Sequence, residues 1–97
     1  MRKKSGDAKQ QYGILVSFPS AWKEPWLLTE RSSPDAVYRT GMLKEAEREA
    51  RVYLGIFQYT LNTRSMSTSV VPLEKGDRFG PAIKKYRFND AGRIVQG

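Results

Sequence analysis

The chain contains no histidine and no cysteine. These absences remove structural zinc of the usual kind, disulfides, thiol chemistry, and haem or iron–sulfur ligation through His or Cys. They also remove Ser-His-Asp and Cys-His nucleophile systems. Catalysis here would have to rest on carboxylates, Lys, Tyr, Ser or a hard metal. Zero cysteine fits a reducing compartment. Long apolar runs are missing too. Ile14-Leu15-Val16 is interrupted at Ser17, far short of the ~20 residues that cross a bilayer. Arg2, Lys3 and Lys4 have the basic character of a signal-peptide start, but Ser5 to Gln11 supplies no apolar segment behind it. The expected setting is cytoplasmic, with no membrane partner.

What is present is 97 residues, 39% hydrophobic and 28% charged. That length and balance suit one globular domain with a modest core. Lys plus Arg is 17 against 10 Asp plus Glu, a net charge of +7. The excess is unevenly placed. Residues 1–10 carry four cations and one carboxylate, a net of +3. Residues 11–63 carry six of each. Residues 64–97 carry seven cations and three carboxylates, a net of +4. If the two ends lie on one side of a small domain, their fields add and attract a polyanion. A basic tail that only aids solubility is the plainer alternative.

Residues 1–10 lack periodicity and are expected to form a flexible basic tail ahead of a single α+β domain over 11–97. Tyr12 to Phe18 is β-rich and predicts a central strand ended by Pro19. Trp26 to Glu30 and Ala36 to Arg39 predict a hairpin about the turn Ser32-Ser33-Pro34-Asp35. The spacing of Leu43, Ala46, Ala50, Tyr53, Leu54 and Phe57 predicts an amphipathic helix near 41–54. Thr40 is its expected N-cap, and Gly55 stands where such a helix ends; if it does not end there, the stripe reaches Phe57. Its polar face mixes Lys44, Arg48 and Arg51 with Glu45, Glu47 and Glu49. A helix that reads a DNA groove would not carry three glutamates toward phosphates, so this is a solvated packing helix.

Tyr59 to Thr63 alternates and predicts a strand. The stretch 64–71 places Met66, Thr68 and Val70 on one face and Ser65, Ser67 and Ser69 on the other, closed by Pro72. Ile83 to Phe88 and Arg93 to Val95 predict a C-terminal hairpin around Asn89-Asp90-Ala91-Gly92. The expected fold is one amphipathic helix packed on a small, mainly antiparallel sheet. Trp26, Tyr53, Phe57, Tyr59, Tyr86 and Phe88 are its expected aromatic core.

The carboxylates form no calcium loop, and no glycine-rich phosphate loop is present. The expectation is a non-enzymatic protein with no metal site and no cofactor. The pattern Lys84-Lys85-Tyr86-Arg87-Phe88 interleaves cations with aromatics. Alternation sends Tyr86 and Phe88, with Lys84 on their side, one way and Lys85 and Arg87 the other. Lys84, Lys85, Arg87 and Arg93, with Lys3 and Lys4 of the tail, are the candidate phosphate contacts to DNA or RNA. Arg64 and Arg78 could join that surface. The competing class is a protein-interaction or inhibitor module docking an acidic partner. Its feature is Trp22, set four residues from Trp26 between Pro19 and Pro25, as a candidate anchor. A lid over the core is the alternative role for that ring. A third option is a homodimer through a sheet edge, with the stretch 60–69 pairing to a second copy.

Overall fold

The computed structural model describes residues 10–60 and 63–97, with Asp77 described by its backbone alone. Five strands form one antiparallel sheet: β1 (Gln11–Ser17), β2 (Trp26–Leu27), β3 (Ser67–Leu73), β4 (Lys84–Phe88) and β5 (Ile94–Gln96), in the order β2-β1-β3-β4-β5. The single helix α1 (Leu43–Ile56) packs on one face. This is the expected α+β architecture with its C-terminal hairpin. No described helix is long and apolar enough to cross a membrane.

Period-two alternation decides which side chains meet the helix. Ile14 and Val16 of β1, Thr68 and Val70 of β3, and Tyr86 and Phe88 of β4 point under α1 and are buried. From above, Ala46, Ala50 and Leu54 are fully buried, with Leu43, Tyr53 and Phe57 packed at the margins. Two alanines on the contact line leave little side-chain bulk between helix and sheet. The Thr68 hydroxyl uses that closeness and donates to the Ala50 carbonyl at 3.0 Å, inside the core. Met66, Thr68 and Val70 share the core side, while Ser67 and Ser69 lie opposite, as the sequence predicts.

The 28–38 hairpin forms with a single Thr29–Val37 bridge beyond β2. Leu28 and Tyr38 are joined by a backbone bond of 2.9 Å. The hairpin leaves the sheet edge there, so its strands stay short.

Several expectations are corrected by the structure. Thr40 is not the N-cap; Met42 is, without a side-chain cap bond. The Thr40 backbone is instead held extended by reciprocal bonds to Tyr12 of 2.7 and 3.0 Å, and its hydroxyl accepts the Met42 N–H. Gly55 does not end the helix. It lies in helical conformation over Ile94, and α1 closes at Phe57. Tyr59 to Thr63 does not form the expected strand in its described part. The Thr63 hydroxyl instead turns back and donates to the carbonyls of Phe57 and Thr60. Tyr59 is therefore 93% exposed rather than in the core. Leu61 and Asn62 lie outside the described residues.

Pro72 does not close β3 but sits inside it, opposite Tyr12. Its carbonyl accepts from Gly80, so its missing N–H faces the irregular 78–83 segment and not β1. Ser67 to Val70 is paired on both sides, by β1 and β4, so that part of the 60–69 stretch offers no free edge; the free edges of the sheet are β2 and β5.

Candidate functional site

The helix-free face of the sheet is built by the same alternation. Tyr86 and Phe88 go into the core, so Lys85 and Arg87 must emerge on the other side, and both are exposed. The strand registers set their neighbours. One row crosses Leu27, Leu15, Ser69 and Lys85, and the next crosses Ser17, Ser67, Arg87 and Val95. Lys85 thus stands beside the buried Ser69, and Arg87 beside the half-buried Ser67. No strand residue on this face is a carboxylate. Glu45, Glu47 and Glu49 are on α1, across the sheet. Arg87 makes only a long 3.4 Å bond to the Phe88 carbonyl, and no ion pair engages either cation among the described residues.

Lys84 does not join them. It is opposite Val70, on the side of Tyr86, and half-buried near α1. Arg93 lies at the hairpin turn, exposed. There the Asn89 side chain accepts from the Ala91 and Arg93 amides at 3.0 and 2.9 Å, and Gly92 takes a φ of +79°. Both features fix a tight turn. The Arg64 guanidinium rests on Gly92, where an added Cβ would come within 2.7 Å of it. Arg64 and Arg93 share a small cleft of about 310 Å³ with Tyr59. The sequence named Arg64 only as a neighbour. It missed Tyr59 altogether, because the strand reading had placed that ring in the core. Lys3 and Lys4 lie outside the described residues.

Trp22 is 60% exposed. Its ring meets Trp26 edge-on at 6.0 Å, and it is Trp26 that packs against the core. Trp22 does not act as a lid.

A second cleft was not legible in sequence. It lies between the 28–38 hairpin and α1, with Tyr38 and Tyr53 in its walls. The Tyr38 hydroxyl is buried and is the one such side-chain atom without a hydrogen-bond partner among the described residues. Burial, then the charges of Glu45 and Glu49, push the phenol up to about 12. Burial also raises Tyr53. Tyr38→Phe removes a hydroxyl that has lost water and gained nothing, so it should stabilise the fold by about 1 kcal/mol in urea unfolding. The folded pKa lies above the unfolded value of 10.0. Stability is therefore complete below pH 10 and falls as pH rises toward 12. Part of that alkaline loss should vanish in the Phe variant. A wild-type Tyr38 phenol ionising near 10 would contradict this.

Comparisons with protein-family models, curated proteins and solved structures gave no match for this chain. The functional reading therefore rests on the chemistry of its own surfaces.

Proposed function

We propose that this protein is a non-enzymatic module that binds nucleic acid chiefly through phosphate contacts on the helix-free sheet face. One observation carries the reading: Lys85 and Arg87 are exposed together on a face whose strands contribute no carboxylate. The half-buried Ser67 beside Arg87 can donate to a phosphate oxygen, whereas Ser69 beside Lys85 is buried. Contacts of this kind position a backbone and read little sequence. Arg64 and Arg93 extend the positive surface at the hairpin turn. Exposed Tyr59 adds a ring on which an unpaired base can stack. The test is titration against labelled duplex DNA, single-stranded DNA and RNA at two salt concentrations. Binding that weakens steeply with salt is the expected result. No binding at low salt would end the reading.

A second reading rests on Trp22. An exposed tryptophan braced by another ring is the form of a protein-docking anchor. Here the basic surface would meet an acidic partner. In a Trp26→Phe variant the remaining Trp22 should be quenched by acrylamide nearly as freely as a tryptophan in water. A shielded ring would remove it as an anchor.

A further inference from the structure

We propose that the cleft between the 28–38 hairpin and α1 receives a cationic side chain, a guanidinium or ammonium on an apolar stem, from a basic peptide. The cleft measures about 750 Å³, within the range of sites that enclose a small ligand. Three rings, Trp26, Tyr38 and Tyr53, line it. Their faces carry negative quadrupole density and attract a desolvated cation. Glu30 and Glu49 also line it, against the single cation Arg31. This is local acidity on a chain whose net charge is +7. Phosphate is disfavoured by the two carboxylates, so the cleft is chemically distinct from the Lys85–Arg87 face. A bare metal ion would gain nothing from the aromatic walls, whereas an apolar stem would.

The Tyr38 hydroxyl supplies the independent sign of a ligand. It is buried without a partner and belongs to a residue that lines the cleft. The oxygen is closed to solvent in the free protein, so an N–H donor would satisfy it only if the ring turns toward the cleft on binding. The phenol pKa is raised first by burial, which favours no charge, and then by the negative field of Glu45 and Glu49 with Arg48 opposing; only that second part accords with a cation.

The experiment uses the full chain with Trp22→Phe, which leaves Trp26 as the only fluorophore of its kind. Trp22 is mostly exposed, so the fold should tolerate the change. N-acetyl-arginine amide is titrated against N-acetyl-citrulline amide, which has the same shape without the charge. A saturable change with arginine, and binding at least about tenfold weaker for citrulline, is expected. Glu49→Gln should weaken the arginine complex by about tenfold. Tyr38→Phe should also weaken it while leaving the fold at least as stable, a combination that a purely structural tyrosine would not produce. Equal binding of citrulline would reduce the cleft to an apolar groove. No saturable response to arginine would overturn the proposal outright. Salt-dependent binding of nucleic acid by the same variants reports the Lys85–Arg87 face separately, so each reading fails on its own evidence.

Discussion

Replacing Lys85 and Arg87 together with serine should flatten the salt dependence of nucleic-acid binding by about 1.4 to 1.8 units of log K per log salt. That figure follows from two lost phosphate contacts, each releasing about 0.7 counterions on single strands or about 0.9 on duplex. The counterion term vanishes near 1 M salt and grows with each tenfold dilution. At 0.1 M the same loss corresponds to about 25- to 60-fold weaker binding. Lys84→Ser is the decisive companion. It removes the same charge from the adjacent residue, but on the core side of β4, where Lys84 lies half-buried opposite Val70. Its affinity change should stay within about twofold, the residue of a diffuse field. Equal losses from Lys84→Ser and Lys85→Ser would mean that net charge, not this face, does the binding. An unchanged slope in the double variant would end the phosphate reading and move attention to Trp22.

That contrast between neighbours was available in the sequence, because a strand's alternation is local. Once Ile83 to Phe88 reads as a strand with aromatics inward, Lys85 and Arg87 must be outward. The apolar stripe of α1 was legible for the same reason, as were the turn at Gly92 and the shared face of Met66, Thr68 and Val70. Two of the errors fall where a residue outside the segment decides, and one where a local turn does. Thr40 looked like a cap until Tyr12 claimed its backbone. Pro72 looked like a terminator, yet a strand with an irregular neighbour on one side tolerates it. Tyr59 alternated correctly for a strand, but Thr63 closed the chain into turns instead. The aromatic cleft was beyond reach because it unites Trp26, Tyr38 and Tyr53 across a hairpin and a helix. No spacing rule encodes the angle at which that hairpin leaves the sheet.

Leu54→Ala should destabilise the fold by about 2–5 kcal/mol, the range for a buried leucine that leaves a cavity. The reason lies in the composition of the helix's contact line. Ala46, Ala50 and Leu54 are each 0% exposed, but the alanines contribute only a methyl group. Leu54 is thus the only larger side chain that α1 buries completely, within the cluster of Ile14, Val16, Met66, Val70, Tyr86 and Phe88. The Thr68 bond to Ala50 holds the helix close to β3, which limits how far the layers can settle into the space. Ile56 provides the control. It is on the same helix but 61% exposed, so Ile56→Ala should change stability by no more than about 0.5 kcal/mol. Urea unfolding reads both. The Leu54 variant should unfold at a midpoint about 1–3 M lower, with an unchanged slope, because the surface exposed on unfolding is nearly the same. Small domains hold about 5–15 kcal/mol in total, so this one substitution uses a large share of the margin. A loss below about 1 kcal/mol, or equal losses at the two positions, would mean that α1 presents another face to the sheet. The alternation that sends Lys85 and Arg87 outward would then lose the buried layer that enforces it.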